Sequence, residues 1–113
     1  MHRVSFFTPK DQKSPISEFL DSCSDNLRAK IIKQLKYVEE FGLTPAIPNL
    51  KKVISTPFWE LRILGKDNIR IFCINRPEKE VKVIHIFVKK TQKTPLKEIS
   101  VALKRFRILT NDI

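Results

Sequence analysis

The segment VKVIHIFVKKTQKTP, residues 81–95, decides the fold because it joins a strand, a basic loop and a helix. Its apolar first part predicts the strand, and the apolar periodicity of residues 96–109 predicts the helix. Thr94 and Pro95 predict an N-cap and a first helical residue, since proline has a suitable φ and lacks an N–H that would be unpaired there. Lysines beside a helix N-terminus outline an anion site. A solvated basic turn is the alternative interpretation.

The sequence before this segment has the period of a half-buried sheet. Trp59, Leu61 and Ile63 alternate with polar residues, and residues 69–74 alternate again after a polar turn at 65–68. Together with residues 81–88 they predict three consecutive strands. Strands joined by short polar turns pair antiparallel, so we expect a meander.

The N-terminal half predicts one strand and two helices. Residues 3–8 are typical of an edge strand, and Ser14 and Ser24 are typical N-caps. Gly42 ends the second helix, and residues 43–57 contain three prolines, which predicts a connecting loop. The order β-α-α-β-β-β-α predicts an α+β fold, an antiparallel sheet of about four strands with the helices packed on one face. The length of 113 residues predicts a single domain, 1–113.

The charge of the chain is high and uneven. The formal net charge is +10, and residues 51–113 hold fifteen Lys and Arg against six Asp and Glu. Such an excess favours a polyanionic partner, since phosphate neutralisation dominates nucleic-acid affinity. No apolar run is long enough to span a bilayer or to form a signal peptide, so we expect no membrane partner and a cytoplasmic location.

Several kinds of site are excluded by composition. Two glycines cannot build a phosphate-cradling loop of the Walker or dinucleotide type. Cys23 and Cys73 lack metal-like spacing, so we expect reduced thiols, no zinc and no cofactor. The two histidines include His85, which lies inside an apolar strand and is expected to be a satisfied core residue.

The strand period places charged residues on the face of the sheet away from the core. Glu60 and Arg62 point to that face from one strand and Arg70 from the next, with Lys89 and Lys90 at the rim. Arginines neutralise charge at any pH near neutral, and a lysine crowded by cations has a depressed pKa suited to proton transfer. This face either binds RNA or also cleaves it, and composition does not separate the two.

The segments 58–62, 69–72 and 85–95 resemble the phage-derived, HigB-like branch of the RelE/ParE toxin superfamily. Residues 15–20, 28–30, 41–43 and 97–102 are also similar to it, in the same order along the chain. The resemblance implies a RelE-like fold and the toxin of a type II toxin–antitoxin system. Such toxins are metal-independent endoribonucleases that cut mRNA on the ribosome and inhibit translation, and a helix-turn-helix, HigA-like antitoxin neutralises them.

Carried over by motif, the resemblance also implies roles for individual residues. Arg62 and Arg70 would stabilise the charge on the scissile phosphate, and one lysine, which we take as Lys90, would transfer a proton. Glu60 would bind RNA or orient the arginines. The remaining expected RNA-binding residues are Lys89, Thr91, Gln92 and Lys93.

One departure from the family pattern leaves alternatives open. Several members place a tyrosine or histidine in or near the last helix, whereas the only tyrosine here, Tyr37, lies in the second helix. The alternatives are a non-enzymatic gyrase poison of the ParE type and an inactive, nucleic-acid-binding homologue.

Overall fold

A computed structural model describes residues 1–93 and 95–111 of the chain. Three helices and five strands follow one another along these described residues. The elements are β1 (Arg3–Phe6), α1 (Pro15–Ser22), α2 (Asp25–Phe41), β2 (Leu50–Lys52), β3 (Trp59–Ile63), β4 (Ile69–Arg76), β5 (Glu80–Val88) and α3 (Leu96–Thr110). No helix within the described ranges is long and apolar enough to cross a membrane.

The strands form one mixed sheet in the order β1-β5-β4-β3-β2. The predicted meander of β3, β4 and β5 is confirmed, and each neighbouring pair in it is antiparallel. The α+β class is likewise confirmed, but the sheet has five strands rather than about four. β2 extends the edge beyond β3, and β1 joins the opposite edge parallel to β5, so the sheet is not wholly antiparallel.

Helices cover both faces of the sheet, so the predicted placement on one face is wrong. The cluster under α1 and α2 includes Ile16, Ile31, Leu61, Ile71 and Val83. The cluster under α3 lies on the other face, because alternate strand residues point to opposite sides, and it consists of Phe7, Phe58, Phe72, Ile74, Ile84, Phe87 and Ala102. The central strands carry apolar side chains on both faces. The side chains on the face away from α1 and α2 are removed from water by α3.

A β-bulge helps β5 to meet α3. The register passes from Phe72 opposite His85 to Cys73 opposite Val83, which leaves Ile84 as the extra residue. A bulge bends its strand and re-aims the neighbouring side chains. As a result Ile84 packs in the cluster under α3, and His85 contacts two α3 side chains.

The caps of α1 and α2 are as predicted, but the start of α3 is not. Ser14 Oγ accepts from the backbone N–H groups of residues 16 and 17, and Ser24 Oγ accepts from that of residue 27. The predicted cap Thr94 lies outside the described residues. Pro95 stands at the N-cap position, one residue before the first helical residue Leu96, so its predicted role as first helical residue is wrong.

Candidate functional site

The predicted charged residues meet where β2, β3 and β4 lie side by side. Lys51 pairs with Glu60 across β2 and β3, and Arg62 pairs with Arg70 across β3 and β4. Directly opposed residues project from the same face of a sheet. All four therefore share one face, and it is the face that α3 covers farther along the strands.

Arg70 is the fixed member of this group. Its side chain is 6% exposed and Glu60 only 3%, with Arg70 Nε 3.3 Å from Glu60 Oε2, an ion-pair contact not aligned as a hydrogen bond. Arg70 Nη1 also donates to Asn68 Oδ1 at 2.9 Å and to the Ile69 carbonyl at 3.2 Å. These contacts hold the guanidinium in one orientation within the sheet.

Arg62 differs from Arg70 although the two residues face each other. Arg62 is exposed whereas Arg70 is buried. A buried, fixed guanidinium supplies positive charge without reorganising, while an exposed one is free to fold onto a ligand. The pair therefore combines a buried, hydrogen-bonded cation with a solvent-exposed one.

The lysine loop, residues 89–93, closes the site from the end of β5. Lys89 is half-buried and the other four residues are exposed. The Lys89 N–H donates to the Asn68 carbonyl at 2.9 Å, and Thr91 Oγ1 donates to the Lys93 carbonyl at 2.6 Å. The loop is thus tied at its base to the turn between β3 and β4.

Two adjoining depressions form what we call the basic cleft. The inner one, about 170 Å³, is lined by Asn49, Leu50, Lys51, Glu60, Arg62, Arg70 and Lys89. The outer one, about 550 Å³, is lined by Arg62, Asn68, Arg70, Lys89, Lys90, Thr91 and Gln92. The cleft brings five cationic side chains around one carboxylate. Its electrostatic potential is therefore positive and favours the binding of an anion.

Seven of the eight site residues predicted from the sequence line the cleft, and Lys93 does not. Lys93 is exposed and takes part through its carbonyl, which accepts from Thr91. The sequence interpretation missed Lys51 and Asn68 as site residues. The sequence predicts a loop around Lys51 and a turn around Asn68, so neither residue is assigned to the sheet. The short alternation of Leu50 to Lys52 is the sequence feature that could have indicated the strand carrying Lys51.

His85 is a satisfied core residue, as predicted. It is 8% exposed, with Nε2 2.7 Å from Glu98 Oε1 and Nδ1 3.1 Å from Arg105 Nη1. Because Arg105 only donates, Nδ1 accepts and the neutral ring donates from Nε2 to Glu98. Burial lowers the pKa of His85 and Arg105 lowers it further, while Glu98 acts in the opposite direction. His85 therefore joins α3 to β5.

Three other groups that sequence reasoning considered lie away from the cleft. Tyr37 lines an apolar groove with Phe41 and Ile47 beside α2. Cys73 is buried, which raises the pKa of its thiol to about 12, and Cys23 is a half-buried free thiol. Across residues 1–93 and 95–111, no group of three or more His, Cys, Asp or Glu side chains could hold a metal ion.

The fold and the cleft define a small α+β domain with a concave cationic site at one end of its sheet. Residues 18–107 match the family described as Phage derived protein Gp49-like (DUF891), and the chain belongs to this family. A structure of E. coli toxin RelE in the free state, with two arginines mutated to alanine, shares the fold. The TM-score is 0.64 at 19% identity, covering 92% of this chain and 96% of that one. A search of curated proteins finds no match.

Family and fold together confirm the predicted membership of the RelE superfamily. The likeness to the RelE structure extends over nearly the whole of both chains.

Proposed function

We propose that this protein is the toxin of a type II toxin–antitoxin system and that it cleaves mRNA on the ribosome, without a metal. The observation that carries the proposal is the basic cleft, in which Arg62 and Arg70 face each other beside Lys89 and Lys90. Paired guanidinium groups bind phosphate oxygens bidentately. The proposed partners are the ribosome with its mRNA and a helix-turn-helix, HigA-like antitoxin.

The proposed reaction is attack of an RNA 2′-oxygen on the adjacent phosphorus. The bond from the 2′-oxygen to phosphorus forms as the bond from phosphorus to the 5′-oxygen breaks, which gives a 2′,3′-cyclic phosphate and a 5′-hydroxyl. Arg62 contacts the phosphate oxygens, and Arg70 supplies a fixed positive charge behind them. The 2′-hydroxyl gives up its proton to solvent water, and Lys90 gives a proton to the leaving 5′-oxygen, so one proton is lost and one is gained.

The lysine and carboxylate positions support distinct roles. Lys89 lines both depressions and is half-buried, so we assign it to phosphate binding together with Thr91 and Gln92. Lys93 does not line the cleft, so we assign it a contact with RNA outside the cleft. Glu60 is a buried anion against Arg70, and we assign it to orienting that arginine, because a carboxylate facing RNA repels phosphate.

The proposal is tested by expressing the protein with two reporter messages that differ only in the start codon. We expect growth arrest and new 5′ ends in the translated message alone. Arg62→Ala should abolish both, whereas Arg107→Ala, which removes an exposed arginine on α3 away from the cleft, should retain them. Cuts in the untranslated message, or full cutting by Arg62→Ala, would overturn the proposal. Growth arrest with DNA damage and intact messages would point to a gyrase poison.

A further inference from the structure

Asn68 connects the buried Arg70 to the lysine loop. Its Oδ1 accepts from Arg70 Nη1 at 2.9 Å, and its Nδ2 donates to the Lys89 carbonyl. Its own carbonyl accepts from the Lys89 N–H at 2.9 Å. One residue therefore bonds to the buried arginine and, twice, to the base of the lysine loop.

The chemistry of these contacts requires a side-chain amide. A guanidinium only donates and a backbone carbonyl only accepts, so the amide oxygen must face Arg70 and the amide nitrogen must face Lys89. An aspartate in this place would keep the first bond and set a carboxylate oxygen against the Lys89 carbonyl. Asn68 also has a φ of 54°, a left-handed conformation that asparagine adopts more readily than most residues.

From this geometry we infer that Asn68 is a positioning residue, which sets the Arg70 guanidinium and the lysine loop at one fixed separation for the reaction. The inference deepens the proposed function and rests on it for the reaction concerned. Asn68 itself need not touch RNA. It acts through Arg70 and Lys89, whose common placement decides whether a phosphate is held by both at once.

The expected effect follows from the precision that such a reaction needs. A misplacement of about 1 Å at a reacting centre costs on the order of a hundredfold in rate. Asn68→Gly removes both side-chain bonds but tolerates positive φ and keeps the backbone bond to Lys89. We expect its rate of single-turnover mRNA cleavage on ribosomes to fall by about 10- to 100-fold. Asn68→Asp keeps the bond to Arg70 but sets a carboxylate oxygen against the Lys89 carbonyl, so it should slow cleavage as well.

A matched control distinguishes the loss of positioning at Asn68 from the general effect of placing glycine at a turn residue with positive φ. Asp11 also has positive φ, at 59°, and is exposed in a turn outside the cleft. Asp11→Gly should leave the cleavage rate within about twofold of wild type, as expected for a surface change away from the site. The Nε–Hε NMR signal of Arg70 gives a second readout that needs no activity. Asn68→Gly should shift it and speed its hydrogen exchange, and Asp11→Gly should not.

Four outcomes decide the inference. A slowed rate in folded Asn68→Gly protein, with a shifted Arg70 signal, supports it. A wild-type rate in Asn68→Gly overturns it while the proposed function stands. Activity lost only in proportion to the unfolded fraction, with the Arg70 signal unmoved, also overturns it. If wild-type protein does not cleave, the proposed function fails, and the Arg70 signal alone then decides whether Asn68 positions this side chain.

Discussion

The ion pair between Arg70 and Glu60 allows the sharpest prediction about stability. Replacing Arg70 by methionine keeps most of the side-chain volume but leaves the buried Glu60 carboxylate without this cation. The two side chains are 6% and 3% exposed, and removing one partner of a buried pair costs about 3–5 kcal/mol. Arg62→Ala, on the facing strand, removes an exposed arginine and should change the free energy of unfolding by less than about 0.5 kcal/mol.

Urea denaturation followed by circular dichroism measures both variants. With a slope of about 2 kcal/mol per M, the Arg70→Met midpoint should fall by about 1.5–2.5 M, and the Arg62→Ala midpoint should barely move. Arg70→Lys keeps a positive charge but not the planar fork, and should lie between them. Equal midpoints for Arg70→Met and Arg62→Ala would refute the claim that burial separates the two arginines.

Three further predictions concern other parts of the fold. Because burial lowers the pKa of His85, the unfolded chain takes up this proton at a higher pH than the folded chain and binds more protons as the pH falls below about 6.5. Wild-type stability should therefore fall from pH 7 to 5 more steeply than that of His85→Gln in matched urea titrations, and parallel slopes would contradict this. Gly42→Ala should cost more than about 1 kcal/mol, since φ is 78° and the new Cβ would lie 2.6 Å from His2 Cε1. The loss should be partly recovered in a His2→Ala background. Ser14→Ala should lower the thermal midpoint, at a cost of about 1–2 kcal/mol, because the buried hydroxyl caps α1 and donates to the Phe7 carbonyl at 2.8 Å; an unchanged midpoint would contradict this.

The sequence was sufficient for the parts of the site that depend on local pattern. The period of two placed Arg62 and Arg70 on one face, and the short turn between their strands made them neighbours, as the pairing of β3 with β4 shows. The serine caps of α1 and α2 were also recognisable, because a hydroxyl followed by a helical period has one common structural meaning. Such features rest on interactions within a few residues.

The features that sequence reasoning missed depend on distant contacts. The parallel pairing of β1 with β5 joins residues about 77 positions apart. The local sequence pattern of either strand does not indicate this pairing. The sequence pattern predicts the wrong face for α3, because Phe72 and Ile74 fit a simple alternation while they also form a second apolar surface. Asn68 was assigned only to a turn, since its role exists only once the end of β5 lies beside it.

The central claim is that the basic cleft cleaves mRNA on the ribosome, and the chemistry of the cut ends tests it most directly. Purified protein is incubated with a defined mRNA, with and without ribosomes, in a buffer whose sole divalent cation is the Mg²⁺ that intact ribosomes need. We predict upstream fragments that end in a 2′,3′-cyclic phosphate and downstream fragments that begin with a 5′-hydroxyl, formed only with ribosomes and lost in Arg62→Ala. Intact mRNA in the complete reaction, or cuts that leave a 5′-phosphate, would contradict the claim.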